Sequence, residues 1–272
     1  MINVMVAGNS KVLDGIIIET LSIVKFCNMP INMFIITMDL KDENPSFTPI
    51  TKNESEIIEK ILKQKNDKSK VTLIDYTKEY KEEMKNSPNQ KNRYTPYALL
   101  RLYSDSMEQI PSKILYIDTD IVFFDNIEKI YSIDVSNYEL AGVLDYYGHI
   151  FIKKDYLNSG VLLLNMDRIR ETKMFTKARE LVANKKMLFC DQDAINKLTN
   201  SRLILPSKFN EQHKLKKDTV IRHFSKTLKW FPYFDTQNIK PWQIEKVHNK
   251  LHIHEYDDVI DNYLKLKGEI NL

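Results

Sequence analysis

Short apolar runs alternate with amphipathic segments along most of the chain. Apolar runs bounded by turn residues predict buried strands, and apolar residues at helical spacing predict helices. On these patterns strands are predicted at 2–6, 31–37, 71–75, 113–117 and 161–166. Helices are predicted at 11–26, 54–64, 94–107, 168–183 and 191–198. This alternation predicts an α/β fold built on a doubly wound sheet with parallel strands.

Two segments depart from this regular pattern. Residues 76–92 are polar and Lys-rich and include Pro88, so most of this segment is expected at the surface. After His223 an aromatic-rich stretch runs to Trp242, and a charged, helical end is predicted to follow. Without an internal repeat or a clear linker, the simplest organisation is one domain over 1–242 with a helical extension over 243–272.

Composition and charge narrow the class of protein. The 272 residues are 43% hydrophobic and 28% charged, which is typical of a globular protein, and the net charge of +3 does not predict nucleic-acid binding. No stretch approaches the roughly 20 apolar residues of a spanning helix. Met1 leads directly into a strand-like run, so no signal peptide is expected and Cys27 and Cys190 are expected to be buried thiols.

An acidic pair follows one of the predicted strands. Asp118-Thr119-Asp120 comes directly after the strand 113–117, and ligands of open α/β sheets bind beyond the carboxyl ends of strands. Alternation in an extended segment would aim both carboxylates to one side, where their oxygens suit Mg²⁺ or Mn²⁺ held by a diphosphate. Such a triplet also occurs about once by chance in a chain of this length, and Asp191-Gln192-Asp193 is a second example. A pair of capping carboxylates is the alternative.

His223 and two lysines are further candidates. A predicted strand over 218–222 leads to His223, whose imidazole could complete a mixed oxygen and nitrogen site for Mn²⁺. The alternative is a structural, hydrogen-bonded histidine. Lys229 and Lys240 follow among aromatic residues, and either could neutralise a departing phosphate, although most lysines are solvated.

Several ordered motifs carry a resemblance to a known family. Arg101 lies in a Tyr-Ala-x-x-Arg-Leu context ahead of Asp118-Thr119-Asp120. Ala-Gly-Val-Leu-Asp then ends at Asp145, an Asn-Ser-Gly segment begins at Asn158, and Asp-Gln-Asp and His-Phe follow at 191–193 and 223–224. From residue 3 to about residue 242 the sequence resembles family 8 glycosyltransferases, the group that includes glycogenin and bacterial galactosyl- and glucosyltransferases of surface glycans.

The resemblance implies a fold and an activity. The fold would be of the GT-A type, the nucleotide-diphospho-sugar transferase fold, with a mixed, mostly parallel sheet flanked by helices. The activity would be retaining transfer of a hexose, glucose or galactose, from a UDP-sugar to a hydroxyl of a glycan or glycolipid acceptor. Mn²⁺ or Mg²⁺ would be held by Asp118, Asp120 and His223. The location would be cytoplasmic, with at most peripheral contact with the inner face of a membrane.

The resemblance also implies roles for single residues. Arg101 would contact the donor sugar or its diphosphate, and Asp145 and Asn158 would bind sugar hydroxyls. Gln192 would lie close to the anomeric carbon, opposite the leaving group. Asp193 is the nearest carboxylate that could act as a nucleophile instead. Without the family pattern, Asn158 reads as a loop cap and Gln192 as a helix-start residue.

The chain departs from the family pattern at two places. Gly8 stands where the family commonly has an acid that reads the base, so Asn9 or backbone groups would read the base instead. Ala7, Gly8, Asn9 and Thr119 are candidates for donor binding in this region. The closing motif is disrupted: spacing from His223 selects Lys229, whereas the Lys-Pro-Trp tripeptide begins at Lys240. The sequence leaves both lysines open.

Two other functions remain open at this point. A nucleotidyltransferase also carries acidic pairs on an α/β sheet, but it needs a basic, Gly-rich phosphate loop, of which Gly8-Asn9-Ser10-Lys11 is only a weak form. Release of pyrophosphate from a nucleoside triphosphate would identify it. A catalytically silent nucleotide-sugar-binding protein would not need Asp118, Asp120 and His223, and the absence of donor hydrolysis with Mn²⁺ would identify that class.

Overall fold

A seven-stranded sheet is the central element of the computed structural model, which describes residues 1–90, 95–229 and 235–270. Its strands are β1 Ile2–Ala7, β2 Ile31–Thr37, β3 Lys70–Asp75, β4 Lys113–Ile117, β6 Leu140–Leu144, β7 Leu157–Asn165 and β8 Arg202–Leu205. Their order is β3-β2-β1-β4-β7-β6-β8. Strand β7 runs antiparallel to β4 and β6, and the other pairings are parallel. The predicted mixed, mostly parallel sheet is confirmed.

Among the described residues, two short antiparallel ladders lie outside this sheet. One pairs β5 Ile121–Phe123 with β9 Ile221–His223, and the other pairs β10 Thr227–Lys229 with β11 Asp235–Gln237. The first ladder begins one residue after the acidic pair, so it decides which distant segment lies beside that pair.

Helices cover both faces of the sheet. They are α1 Leu13–Phe26, α2 Lys52–Lys65, α3 Thr77–Met84, α4 Glu128–Tyr131, α5 Gly148–Phe151, α6 Met166–Thr172, α7 Met174–Asn184, α8 Cys190–Leu198, α9 Ile244–Lys246 and α10 Asp257–Ile270. Alternate residues of β2 enter two different apolar cores: Met33 and Ile35 pack on one face, Phe34 and Ile36 on the other. A central strand covered on both faces is apolar at most positions, which explains why five of the seven residues at 31–37 are apolar, with Asn32 and Thr37 the two polar ones.

The observed start of helix α2 differs from the predicted start because of a side-chain cap. The apolar periodicity predicts a start at residue 54, but the helix starts at Lys52. Thr51 Oγ1 accepts a hydrogen bond from the Glu54 backbone N–H at 3.2 Å, and Glu54 Oε2 accepts one from the Thr51 N–H at 2.6 Å. This capping box satisfies the first free N–H groups of the helix and places its beginning ahead of the apolar stripe.

Two predictions from the pattern need correction. The single helix predicted at 168–183 is two helices, α6 and α7, because Lys173 between them has a left-handed backbone with φ of 56°. The helix predicted at 94–107 is a 3₁₀ helix over Pro96–Ser106, and residue 94 lies outside the described residues. The segment 76–92 lies mostly at the surface over its described residues, as predicted, although it contains α3, whose Tyr80 and Met84 are buried in the core.

The end of the chain is helical and packs on α1. Val259, Ile260 and Tyr263 of α10 are buried in the same core as the apolar residues of α1. Lys267 Nζ contacts Asp14 Oδ1 of α1 at 2.9 Å, and Lys25 Nζ contacts Asp258 Oδ2 at 2.7 Å. In the part of the chain that the structure describes, no helix combines the length and the apolar character needed to cross a membrane.

Candidate active site

The sheet brings the predicted donor-binding segments together. Strands β1 and β4 are parallel neighbours, with Val4 opposite Leu115 and Met5 opposite Tyr116, so both chains leave the sheet at the same edge. Ala7, Gly8 and Asn9 therefore lie beside the turn that carries Thr119. The methyl carbon of Thr119 is 3.7 Å from the position that a Cβ on Gly8 would take.

Gly8 has no room for a side chain. A Cβ at this position would lie 2.4 Å from Cγ2 of Val12, well inside van der Waals contact. The packing around Gly8 is therefore built for glycine, and an acidic side chain would require Val12 to move. Asn9, which is 5% exposed, follows Gly8 directly and is a buried polar side chain of this turn.

The β5–β9 ladder places His223 against the acidic pair. Ile121 is opposite His223 in the ladder, and Nε2 of His223 lies 3.2 Å from Asp120 Oδ1 and 3.8 Å from Asp118 Oδ2. One ligand atom from each of the three residues lies within 4.8 Å of the others. Two carboxylates and one imidazole at this spacing suit a divalent metal ion such as Mn²⁺.

Gly160 makes this close arrangement possible. The Asp118 N–H donates to the Gly160 carbonyl at 2.7 Å, so β7 runs directly beneath the cluster. A Cβ on Gly160 would lie 2.3 Å from Cε1 of His223 and 2.8 Å from Oδ2 of Asp118. Any side chain there would displace two of the three candidate ligands, which gives the glycine of the Asn-Ser-Gly motif a physical reason.

Sequence reasoning missed Asn210, which orients His223. Nδ1 of His223 donates to Asn210 Oδ1 at 3.1 Å, and Asn210 Nδ2 donates to Asn158 Oδ1 at 2.9 Å. With its Nδ1 carrying the proton, the imidazole offers the Nε2 lone pair to a metal ion. The only sequence signal was an amide in the loop after Leu-Pro at 205–206, which pattern analysis cannot distinguish from a surface turn.

We expect Asn210→Ala to weaken metal activation by about 10- to 100-fold, because an unrestrained imidazole can rotate or change tautomer. The metal concentration for half-maximal activity should rise, whereas turnover at saturating metal should change by less than about threefold. Titration of the variant with Mn²⁺ measures both quantities, and Asn200→Ala, at an exposed position, is the control. An unchanged metal titration would show that Asn210 does not position His223.

Arg101 is a buried member of the site. Its side chain is 4% exposed, with Nη2 2.8 Å from Asp118 Oδ1 and Nε 3.2 Å from Asp191 Oδ2. The guanidinium also stacks over the ring of Tyr116, 4.1 Å from its centroid. These contacts hold Asp118 in place and link the two acidic motifs. Direct contact of Arg101 with a donor stays a prediction.

Lys240 lies at the acidic pair. Its Nζ forms an ion pair with Asp120 Oδ2, and the Phe224 carbonyl is 3.4 Å away. The segment is anchored because Tyr256 donates to the Pro241 carbonyl at 2.9 Å and the Trp242 ring lies 2.6 Å from where a Cβ on Gly15 would be. For Lys229 the backbone belongs to β10, and its side chain lies outside the described part of the structure.

The electrostatics keep Asp120 anionic. Burial by itself would raise the pKa of its carboxyl, but Lys240 and His223 outweigh burial and hold that pKa well below the usual range. Glu19 behaves in the opposite way: burial, with Asp118 and Asp120 nearby, raises its pKa well above the ordinary value. Its two carboxylate oxygens have no hydrogen-bond partner among the described residues, as expected for a neutral group.

The predicted sugar-binding residues form one hydrogen-bonded cluster. Asp145 Oδ2 accepts from Asn158 Nδ2 at 2.9 Å and from Gln192 Nε2 at 3.3 Å. Gln192 Oε1 in turn accepts from the Ser159 N–H at 3.0 Å. Through Asn158 and Asn210 this cluster is joined to His223, so the candidate sugar site and the candidate metal site share one network.

Asp193 is held by protein donors on both oxygens. Oδ1 accepts from the Tyr156 hydroxyl, and Oδ2 accepts from the Phe189 N–H at 2.9 Å. Cys190, which begins α8, has a left-handed backbone with φ of 41°. Strain of this kind clusters at functional sites, and here it directly precedes the candidate triplet 191–193.

The sequence of this chain is similar to that of known glycosyltransferases. The sequence profile of glycosyl transferase family 8 matches residues 3–245. Glycosyltransferase GlyB of Streptococcus pneumoniae is 29% identical over 146 residues, covering 49% of this chain and 35% of its own. Probable glycosyl transferase Gly of Streptococcus gordonii is 31% identical over 99 residues, covering 35% of this chain and 14% of its own. The matches thus span about a third or less of these relatives' length.

A solved structure agrees with the fold. Galactosyltransferase LgtC, solved in complex with donor and acceptor sugar analogues, superposes with a TM-score of 0.67 at 16% sequence identity. The superposition covers 100% of this chain and 97% of LgtC. The seven-stranded sheet and its flanking helices are therefore the GT-A arrangement that the sequence motifs implied.

Proposed function

The chain belongs to glycosyl transferase family 8, and from this premise we propose that it transfers a hexose from a UDP-sugar to an acceptor hydroxyl with retention of configuration. The hexose is glucose or galactose, and the acceptor is a glycan or glycolipid in bacterial surface-glycan synthesis. The observation that carries the proposal is the convergence of Asp118, Asp120, His223 and Lys240 beside the Asp145 cluster. That LgtC was solved with sugar donor and acceptor analogues supports both partner classes.

The metal-binding part of the proposal rests on how the donor set fits. Asp118 and Asp120 supply hard oxygen atoms, His223 supplies a nitrogen, and Gly160 leaves the space that they occupy. This set of ligands suits Mn²⁺. It suits Mg²⁺ less well, because Mg²⁺ prefers oxygen ligands to nitrogen. When bound, the ion would neutralise the diphosphate of the donor and act as a Lewis acid toward it.

The chain's own groups perform the remaining tasks. Lys240 stabilises the charge that develops on the departing phosphate, as its position beside Asp120 permits. Ala7, Gly8, Asn9 and Thr119 receive the nucleotide, with Asn9 or backbone groups reading the base. Arg101 holds Asp118 and Asp191 in place through ion pairs. Its guanidinium is buried, so it would have to become more exposed before it could contact the diphosphate.

The sugar is held by Asp145, Asn158 and Gln192. Gln192 lies close to the anomeric carbon but is an amide and a poor nucleophile, and the oxygens of Asp193 are both occupied by Tyr156 and Phe189. A double displacement through a carboxylate is therefore disfavoured. The acceptor hydroxyl attacks on the face that the leaving group departs from, and the leaving phosphate takes its proton.

The site residues lie within the proposed catalytic domain, 1–242, and the segment 243–272 supports it by holding Pro241 and helix α1. We place the protein in the cytoplasm, at most peripherally associated with the inner face of a membrane.

Removal and return of the metal ion tests the proposed reaction. After EDTA treatment, release of UDP from UDP-glucose or UDP-galactose should stop, and Mn²⁺ should restore it better than Ca²⁺, because Ca²⁺ tolerates a nitrogen ligand poorly. The same preparation incubated with nucleoside triphosphates should release no pyrophosphate. Equal rescue by Ca²⁺ would make His223 structural, and pyrophosphate release would identify a nucleotidyltransferase.

A further inference from the structure

Four large apolar side chains are exposed together next to the candidate active site. Ile150, Phe151 and Ile152 are 62%, 68% and 50% exposed, and Leu188 is 62% exposed. Within the described part of the chain, Phe151, Ile150 and Leu188 are the three most exposed large apolar residues. Contiguous exposed apolar groups of this kind mark interaction surfaces rather than ordinary protein surface.

A basic cleft joins the two segments. Ile152 and Leu188 line an open cleft of about 480 Å³, together with Lys153, Lys185, Lys186 and Lys197. The one carboxylate in this lining belongs to Asp193, whose two oxygens already accept hydrogen bonds from Tyr156 and Phe189. We call these four apolar residues and four lysines the basic apolar face.

The lysines give this face a positive charge. All four are exposed. Lys153 also contacts Asp155 at 3.1 Å, and Lys186 donates to the Pro88 carbonyl at 2.9 Å, a neutral group. Because Asp155 neutralises only Lys153 among the four lysines, an excess of positive charge remains around the apolar residues. The complementary ligand is therefore amphiphilic, with negative charge at its surface and apolar groups beneath.

The basic apolar face is mechanically joined to the candidate sugar site. Helix α5, which carries Ile150 and Phe151, begins with Gly148, whose N–H donates to Asp145 Oδ1 at 2.7 Å. His149 Nδ1 donates to the Asp145 carbonyl at 2.6 Å. On the other side, Asp193 follows Gln192 directly. A surface bound to this face would thus lie beside the residues that hold the sugar.

We propose that the basic apolar face docks on an anionic phospholipid bilayer. The apolar tip formed by Ile150, Phe151 and Ile152 inserts among the headgroups, and the lysines contact lipid phosphates. Charge complementarity selects this partner, since an apolar tip surrounded by cations matches an anionic membrane surface. The C-terminal segment is a poorer candidate, because after Trp242 it mixes lysines with acids such as Asp257, Asp258 and Asp261.

Sedimentation with lipid vesicles tests this proposal on the full chain. The protein should sediment with vesicles of phosphatidylglycerol and phosphatidylcholine, and not with phosphatidylcholine alone. Phe151→Asp and the double variant Lys185→Glu, Lys186→Glu should each lower the partition coefficient about tenfold or more. Leu264→Asp is the matched control, since Leu264 is 49% exposed on α10, and its binding should stay at the wild-type level.

Three results would overturn the proposal. They are no sedimentation of the wild type with anionic vesicles, undiminished binding by Phe151→Asp, or an equal loss in Leu264→Asp. A self-association that Phe151→Asp abolishes would assign the face to a protein interface instead. Donor hydrolysis, measured on the same preparations, should not change in Phe151→Asp. Vesicle binding without any hydrolysis would refute the proposed function alone, so the two failures can be told apart.

Discussion

Asp120→Ala is expected to abolish metal-dependent donor binding and to lower turnover by on the order of a thousandfold or more, while the protein stays folded. Asp120 is the residue on which the candidate site converges: its carboxylate contacts both His223 Nε2, at 3.2 Å, and Lys240. The change removes a hard ligand and leaves these two basic side chains facing each other. The remaining Asp118 and His223 cannot neutralise a donor diphosphate by themselves.

Donor titration with and without Mn²⁺ measures this effect directly, and circular dichroism checks the fold. Asp167→Ala is a suitable control, because that carboxylate is 65% exposed in the first turn of α6 and should leave binding unchanged. Wild-type donor affinity in Asp120→Ala would refute the assignment of the metal site.

Lys240→Ala is expected to reduce turnover by roughly 30- to 1000-fold, which corresponds to about 2–4 kcal/mol in the barrier. The ammonium of Lys240 already lies against Asp120, in a segment that Pro241 and Trp242 hold in place. A charge positioned in advance stabilises a developing phosphate charge without reorganisation. Because the charge acts on the leaving group, the loss should fall on turnover at saturating donor.

Lys229→Ala is the matching variant at the other lysine that the disrupted closing motif leaves open. Only one ammonium can occupy the place beside the departing diphosphate, so this variant should lose less than about threefold in turnover. Turnover numbers of both variants at saturating donor decide between the lysines. A large loss in Lys229→Ala alone would reverse the assignment, and near-full turnover in both would leave the charge to Arg101 and the metal ion.

Local pattern predicted most of the sheet. The run at 31–37 is largely apolar because β2 is covered on both faces, and its strand has the predicted bounds. The position of Asp118-Thr119-Asp120 followed from the strand before it, whose bounds are also as predicted. Boundaries set by side-chain caps or by single backbone angles, as at Thr51 and Lys173, were missed because apolar periodicity does not report them.

The ordered motifs determined more than any single one. An Asp-x-Asp triplet alone has a common structural alternative, but several motifs in the family's order implied the GT-A fold, which the sheet order and the likeness to LgtC confirm. The motifs did not reveal how their residues are supported. Gly160 was part of a motif, but only the structure shows that a side chain at this position would clash with His223 and Asp118.

By itself, then, the sequence determined the α/β class, the strand that carries the acidic pair and the candidates for the metal site. The tertiary structure decided which distant residues contact the candidate metal ligands. It placed His223 beside Asp120 through the β5–β9 ladder, Asn210 behind His223, and Lys240 against Asp120. It also showed that Ile150, Phe151 and Leu188 stay exposed. The reason is physical: burial periodicity is a property of neighbouring residues, whereas these contacts join segments far apart in the chain, and their pairing depends on how the whole sheet packs.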